Sequence, residues 1–295
     1  MKQSDRNNAR GFTMIELLVV IAIIGLLAAL GSAGYLAARK MFVQLTAKNR
    51  LDNVVQALEL YKQAYGEYPP DSCASDSVIK RHILKRWPKV LKDGNVADCI
   101  AFFRTSCANP AELDESLPGR AVLFWLGGPD QQGFFKVDGD PFGLKLAGPA
   151  RENAARETPM IELAYNENYN EFGFIFKEQV MAYFRADDGC YHGKDLHVDG
   201  QGIAAPYMNN GAWINPDGYQ LILPGEDLNY GDTDPFGDEN HEEHGHEHHD
   251  HDHDDDCDYI PRDLADPSSL TPHDNDNITN FSEGTSLQSM IDQVR

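Results

Sequence analysis

Basic residues are scarce in this sequence of 295 residues, which has 25 lysines and arginines against 47 aspartates and glutamates and a formal net charge of −22. Nucleic acids and anionic membrane surfaces repel such a chain, so a general binder of either class is excluded. Aromatic residues make up 10% of the sequence and are spread along most of it, which excludes disorder throughout. No repeat of about 20 to 50 residues is present, so a solenoid is not expected.

The motifs that mark common catalytic sites are also absent. The sequence contains no Gly-x-Ser-x-Gly, no Walker loop, no His-Glu-x-x-His and no Cys-x-x-Cys motif. We therefore expect no enzymatic activity, no catalytic residue and no cofactor-binding residue of an enzyme. A membrane-anchored enzyme with an unrecognised site is the alternative.

Charged residues are missing from residues 17–38. This run of 22 residues is long enough to cross the roughly 30 Å apolar core of a bilayer as a helix. A short polar segment, residues 1–11, precedes it and contains Lys2, Arg6 and Arg10. An ordinary signal anchor would explain these features. It would not explain Glu16, because a carboxylate in lipid costs on the order of a few kcal/mol unless it is paired.

Residues 11–20, Gly-Phe-Thr-Met-Ile-Glu-Leu-Leu-Val-Val, resemble the signal of type IV prepilins. The resemblance implies that a prepilin peptidase cleaves between Gly11 and Phe12 and that the new amine of Phe12 is N-methylated. It also implies that Glu16 pairs with the Phe12 amine of a neighbouring subunit in a helical fibre. Pairing makes two charges tolerable that would each be costly in an apolar core. The expected location is the bacterial inner membrane, crossed once, with the head in the periplasm.

Apolar residues continue at helical spacing beyond the uncharged run and predict one helix over residues 12–65. At 1.5 Å per residue this helix would be about 80 Å long. Gly66, Pro69 and Pro70 predict where it ends. We expect its first half to be transmembrane and its second half to pack on a sheet. The predicted apolar positions of the second half are Leu45, Leu51, Val54, Val55, Leu58, Leu60 and Tyr61.

The rest of the chain predicts an α+β, pilin-like fold, in which the long N-terminal helix packs on a small antiparallel β-sheet with long loops. Residues 57–69 resemble the helix end and Tyr-Pro turn of the major pseudopilins of type II secretion systems. Residues 71–120 are predicted to be irregular, and a short capped helix is predicted within residues 121–129. Strands are predicted over residues 172–176, 180–184 and 219–223.

These patterns divide the chain into five segments. The predicted segments are a leader (1–11), the N-terminal transmembrane and amphipathic helix (12–65), a globular head (66–240), a disordered His/Asp-rich insertion (241–258) and a C-terminal loop segment (259–295).

Five cysteines in an exported domain suggest disulfides. Proximity in sequence favours a bond between Cys99 and Cys107. Cys73 with Cys190 is a second candidate pair, which leaves Cys257 over. The sequence does not fix the connectivity, and buried reduced thiols are an alternative.

Two short segments near the C-terminus also resemble the major pseudopilins. Residues 217–227 resemble their last long strand and the turn after it, and residues 275–281 resemble their Asp-Ile-x-Asn-aromatic segment. In that family the two segments close around one calcium ion.

The resemblance implies that Asp227 and Asp276 are the best calcium ligands, with Asp274 and Asn277 as weaker candidates. A backbone carbonyl near Pro224 would add an oxygen, as calcium takes six to eight oxygen ligands. Asn277 departs from the family, which usually has a second aspartate there. A solvated acidic loop is the alternative.

Histidine is concentrated in residues 241–257, where seven histidines alternate with eight acidic residues. Imidazole binds Zn²⁺ and Ni²⁺, so this tract is a candidate metal binder. The alternative is a solvated, disordered charge run.

The function predicted from all these features is a structural subunit of a pseudopilus or type IV pilus-like fibre, with type II protein secretion as the leading system. Its expected partners are other copies of itself, the prepilin peptidase and N-methyltransferase, and an inner-membrane assembly platform. The alternatives are a type IV pilus subunit for adhesion or motility, and a membrane-anchored metal-binding surface protein that uses the His/Asp-rich run.

Overall fold

The structure of the protein is a computed structural model. The structure describes residues 13–92, 95–108, 119–161, 175–176, 179–191, 196–198, 202–225, 227–231, 262–282 and 286–294. The chain forms two compact units, residues 1–43 and 44–295.

The first long element is helix α1 (Met14–Tyr65), whose residues up to Val43 belong to the first unit. Its end confirms the prediction. Gly66 has a φ of +80°, a left-handed conformation that glycine adopts without a steric penalty. The amide N–H of Gly66 donates to the carbonyl of Lys62 at 2.7 Å, which closes the last turn.

In the second unit, one face of α1 is buried at the three- and four-residue spacing of an amphipathic helix. The buried positions are Ala47, Leu51, Val54, Ala57, Leu58 and Tyr61. Leu45 and Leu60, which the sequence pattern placed in the same stripe, are 51% and 55% exposed. Polar contacts also tie this part of α1 to the rest of the head. Lys48 donates to the carbonyl of Thr279 at 2.8 Å, and Glu59 accepts from the hydroxyl of Tyr68 at 2.8 Å.

The prediction that residues 71–120 are irregular is wrong. Much of this stretch is helical, and a fourth helix follows it. The elements are α2 (Asp76–Arg86), a 3₁₀ turn (Pro88–Leu91), α3 (Val96–Cys107) and α4 (Arg120–Gly127). Ser75 caps α2, since its side chain accepts from the amide of Val78 at 3.4 Å. Helix α4 confirms the prediction for residues 121–129.

Aromatic side chains form the core between these helices. Their ring centroids lie between 4.7 and 6.5 Å apart in successive pairs, mostly tilted or edge-to-face. The cluster comprises Trp87, Phe102, Phe103, Phe124, Trp125, Phe134 and Phe142. A short helix, α5 (Pro149–Glu152), follows this core in the chain.

Among the described residues the named strands begin at Ile175, and they are short. In chain order they are β1 (Ile175–Phe176), β2 (Gln179–Val180), β3 (Ala182–Asp187), β4 (Cys190–Tyr191), β5 (Leu196–Val198), β6 (Gly202–Ala204), β7 (Tyr207–Asn209), β8 (Ala212–Trp213), β9 (Tyr219–Leu223), β10 (Arg262–Asp263) and β11 (Ile278–Thr279).

The principal sheet has four antiparallel strands in the order β11-β9-β3-β4, with Tyr183 opposite Leu221. A second sheet places β7 between β8 and the parallel strand β10, and β1–β2 and β5–β6 form hairpins. Helix α6 (Gln288–Val294) contributes Ile291 to the core behind the principal sheet. The structure therefore confirms an α+β fold with an antiparallel sheet. The strand predicted over residues 219–223 is β9.

Both expected disulfide pairs are wrong. Cys73, Cys99 and Cys107 are thiols, whereas Cys190 is in a disulfide. Cys99 and Cys107 lie on the same helix, eight residues or about 12 Å apart along its axis, which is beyond disulfide reach. Proximity in sequence was misleading here, because it ignores the rise of a helix. Cys257 lies outside the described residues.

Candidate functional site

The first candidate site is the N-terminus of α1, where Thr13 and Glu16 form a reciprocal capping box. The amide and the hydroxyl of Thr13 each donate to Glu16 Oε2 at 2.9 Å, and the amide of Glu16 donates to the Thr13 hydroxyl at 3.2 Å. The Glu16 carboxylate therefore caps the N-terminal end of α1. Cleavage at the prepilin signal would place this end of the helix next to the N-terminus of the mature chain. Gly11 and Phe12, the predicted cleavage residues, lie outside the described residues.

Around Glu16, the surface of α1 is apolar on all sides. Every large apolar side chain from Met14 to Leu27 is at least 45% exposed. A helix that is apolar all round requires an apolar environment or partner helices. Across the described part of the chain, no helix is long and apolar enough to count as a membrane span.

The second candidate site is the meeting point of two loops, one after β9 and one before β11. The amide of Asp227 donates to Asp276 Oδ2 at 3.3 Å. His273 Nδ1 lies 2.5 Å from the other carboxylate, at Asp227 Oδ2. Gly225 makes this approach feasible, because a Cβ on it would lie 2.1 Å from Asp276 Cγ. The structure thus brings together the two residues that the sequence ranked first as calcium ligands.

The other two predicted ligands are used in the interior. Asp274 is fully buried, and its Oδ1 accepts from Arg262 at 2.7 Å and from the Tyr207 hydroxyl at 2.6 Å. Its Oδ2 accepts from the amide and hydroxyl of Thr271 at 2.7 and 2.9 Å. Asn277 is also buried and donates to the Tyr207 hydroxyl at 2.9 Å. These two side chains hold the C-terminal segment in place.

The electrostatics of that network are consistent with an ion pair. Burial alone would lower the pKa of Arg262, but Tyr207 and the Asp274 carboxylate next to it raise the pKa overall. Burial, followed by the nearby Asp274 charge, raises the pKa of Tyr207. At neutral pH the network therefore contains a guanidinium and a neutral phenol next to Asp274.

Asp227 and Asp276 fit a hard cation by the chemistry of their donors, since two carboxylates and the backbone oxygens of two loops are what calcium prefers. Among the described residues no group of three or more His, Cys, Asp and Glu side chains is arranged to hold a metal. The His/Asp-rich run of residues 241–257 lies outside the described residues.

A third cluster, at the end of α1, was not predicted. His82 of α2 is 1% exposed, with Nε2 2.7 Å from the Tyr61 hydroxyl and Nδ1 2.8 Å from Glu67 Oε1. Arg86 donates to the Tyr61 hydroxyl at 3.1 Å, and Arg185 lies 3.8 Å from Glu67 Oε2. No sequence motif singles out His82. Its spacing from the buried Ile79 and Ile83 on one helix face was the signal that it is buried.

The charges of this cluster follow from burial and hydrogen bonding. Burial of the imidazole lowers the pKa of His82. The hydrogen bond from His82 lowers the pKa of Glu67 to about 2. A neutral ring that donates through Nδ1 to Glu67 accepts through Nε2 from the Tyr61 hydroxyl, so every polar atom of the ring is satisfied.

Comparison with known proteins first identifies a motif. A family model described as "Prokaryotic N-terminal methylation motif" matches residues 6–32. The chain is 42% identical over 67 residues to the type IV wide pilus major component PilA4 of Thermus thermophilus, covering 23% of this chain and 51% of that protein.

Two further relatives are type II secretion system core protein G. The protein from Pseudomonas aeruginosa is 30% identical over 138 residues, which cover 46% of this chain and 95% of that protein. The protein from Aeromonas hydrophila is 29% identical over 90 residues, covering 30% of this chain and 63% of that protein. The chain thus spans between half and two thirds of two of these relatives and nearly all of the third. No solved structure matches the chain.

Proposed function

We propose, since this chain belongs to the type IV prepilin and pseudopilin family, that it is a structural subunit of a helical fibre. The observation that carries this proposal is one ionisable side chain, Glu16, at the start of a helix whose surrounding surface is apolar on all sides. Packed helices supply the cover that such a surface requires. A cation from a neighbouring subunit supplies the partner that an acid in apolar surroundings requires.

The proposed cation is the N-methylated amine of Phe12, created by cleavage after Gly11. The helix dipole already favours an anion near the N-terminus of α1, where Glu16 caps the first turn. An incoming amine can take the place of the Thr13 donors on the same carboxylate. Before assembly, the subunit is held in the inner membrane by the uncharged run of residues 17–38, with its head in the periplasm.

Type II secretion is the system that we propose. The match to core protein G of Pseudomonas aeruginosa covers 95% of that protein, whereas the match to the wide pilus component covers 51%. A type IV pilus subunit is the second candidate, favoured by the higher identity of 42% in the latter match. In either fibre the proposed role is structural rather than catalytic.

The test of this proposal is the N-terminus of subunits recovered from fibres. We expect filaments sheared from cells to contain this chain beginning at Phe12, with one methyl group on its amine, as measured by mass spectrometry of the N-terminal peptide. Recovery of a chain that begins at Met1, or filaments from which the chain is missing, would contradict it. Co-purification with secretion components or with surface pili then separates the two systems.

We also propose that Asp227 and Asp276 bind calcium between the two loops. Removal of calcium by a chelator should lower the melting temperature of the full-length chain in detergent by about 5 to 10 °C, since loss of a ligand present at 100 times its Kd costs about 2.7 kcal/mol. Added calcium should restore it.

The matched variants for this test are Asp276→Asn and Asp217→Asn. The first removes a proposed ligand and should abolish the calcium effect. The second changes an exposed aspartate in the turn before β9 and should leave the effect intact. An unchanged melting temperature, after metal analysis has shown that calcium was removed, would sink the calcium proposal without affecting the fibre proposal.

A further inference from the structure

Three thiols lie in the helical part of the head, and they are not equivalent. Cys107, at the end of α3, is buried, and Cys99 is buried two turns earlier on the same helix. Cys73 precedes α2, is half-buried and packs against the core behind the principal sheet. The backbone amide of Cys73 donates to the buried carboxylate of Asp71 at 3.1 Å.

One arginine fastens the backbone around Cys73 to α3. Arg104 Nη1 donates to the carbonyl of Ser72 at 2.8 Å, and its Nη2 donates to the carbonyl of Ala74 at 2.6 Å. These two carbonyls flank Cys73 on either side. Arg104 precedes Cys107 by three residues, so their side chains share one face of α3. The backbone on both sides of Cys73 is therefore fastened to α3, the helix that carries Cys107.

Electrostatic coupling gives the same neighbourhood. Burial raises the pKa of the Cys107 thiol, and the charges that raise it further are those of Cys73 and Asp71. Cys99 has different neighbours, because burial followed by Asp140 and Asp98 raises its pKa to about 12.

We propose that Cys73 and Cys107 are a dithiol pair that oxidises to a second disulfide of the head. The chain already carries one oxidised cysteine, Cys190, so the pair would meet the same oxidising conditions. The half-buried Cys73 is the thiol that an external oxidant reaches, and Cys107 is the resolving thiol. Cys99 stays reduced.

The oxidant is a disulfide, either of a thiol-oxidase protein or of oxidised glutathione. The Cys73 thiolate attacks one of its sulfurs, forms a mixed disulfide and releases the first leaving thiolate. The Cys107 thiolate then attacks the Cys73 sulfur and releases the second. The protein loses two protons and two electrons, and the oxidant becomes two thiols. Because only a thiolate attacks, the raised pKa of Cys107 makes the second step faster at pH 8.5 than at pH 7.

The new bond would close a loop of about 35 residues that contains α2 and α3. Closing a loop of this length restricts the unfolded chain and stabilises the folded one. It would also fix the helical part of the head to the segment that leads out of α1. The head should therefore be more stable after oxidation. This gain comes from closing the loop, so it should depend neither on calcium nor on fibre assembly.

The experiment uses the full-length chain in detergent, equilibrated with oxidised glutathione at pH 8.5, then unfolded and alkylated. Peptide mapping should find Cys73 linked to Cys107 and Cys99 alkylated. Alkylation of both Cys73 and Cys107, or linkage of either to another cysteine, would overturn the proposal. This measurement on the unaltered chain does not depend on whether a variant folds.

Cysteine variants add the stability readout. After oxidation, Cys73→Ser should melt about 10 °C below the unaltered chain, and the two should melt together when glutathione is present only in its reduced form. Cys99→Ser is the matched control and should show the full gain on oxidation. An equal gain in Cys73→Ser and in the unaltered chain would count against the bond.

Discussion

Glu16→Ala should leave the subunit in the membrane and remove it from the fibre. The substitution deletes the one ionisable group of the Met14–Leu27 surface, so insertion of the apolar helix becomes no more costly. Assembly, in contrast, would bury the Phe12 amine of each neighbour without its anion. Removal of one partner of a buried ion pair costs about 3 to 5 kcal/mol, which corresponds to a loss on the order of a hundredfold or more in association. Fibre-bound and membrane-bound subunit, quantified by immunoblot after shearing, measure the two effects.

Helix capping by Glu16 must be separated from pairing with a neighbour. Thr13→Ala removes the side-chain part of the capping box and retains the carboxylate, at a cost of about 1 kcal/mol to the first turn. We expect this variant to assemble. Glu16→Gln keeps the length and the hydrogen-bond acceptor but loses the charge, and it should fail like Glu16→Ala. Normal fibres from Glu16→Gln would show that the negative charge is dispensable and that the proposed pairing is wrong.

Much of the fold could be predicted because its signals are local. The run of apolar and helix-favouring residues that ends at Gly66 required no tertiary information, and neither did the apolar stretch of β9. Helices α2 and α3 were missed because each is only 11 or 12 residues long and each has its apolar face against an aromatic core supplied by distant residues. Leu45 and Leu60 were predicted to be buried but are exposed for a similar reason. Helical spacing identifies the apolar positions of a helix, but it does not show which of them the rest of the head covers.

The sites divide in a similar way. Sequence placed Asp227 and Asp276 in one site, and the two loops do meet. The sequence could not show that Asp274 pairs with Arg262. Arg262 lies on β10, outside the segments that resemble pseudopilins, and belongs to no motif. The His82 cluster was missed for the same reason, as it joins α1, α2 and β3 through side chains that carry no motif.

The His82 cluster gives the second large expected effect. His82→Ala should lower the free energy of unfolding by about 3 kcal/mol, because it leaves a cavity against Trp125 and removes two hydrogen bonds from Tyr61 and Glu67. His82→Gln should cost less, since an amide can still donate to one partner and accept from the other. Chemical denaturation of the full-length chain in detergent at pH 7.5 measures both.

The same histidine should make the head sensitive to mild acid. Its pKa is lowered in the folded protein, so below about pH 6.5 the unfolded chain takes up the proton first and stability falls. Glu67 acts in the same direction at lower pH, because its pKa is about 2 in the folded state against 4.5 in the unfolded chain. Asp71 opposes both. Burial raises its pKa from 3.8 to about 6, and stability from this group is gained as the pH falls through that interval.

Between pH 6.5 and 6, protonation of His82 therefore lowers stability while Asp71 contributes little in the opposite direction. The substitution Asp71→Asn removes the opposing contribution of Asp71, so the effect of His82 can also be measured below pH 6. In that background, stability should fall by up to about 1.4 kcal/mol per pH unit below pH 6.5. Adding His82→Gln should flatten the slope there, while Glu67 continues to titrate below pH 4.5. An unchanged slope in the His82→Gln variant would mean that the imidazole is already protonated in the folded head, and the neutral ring assigned from its hydrogen bonds would be wrong.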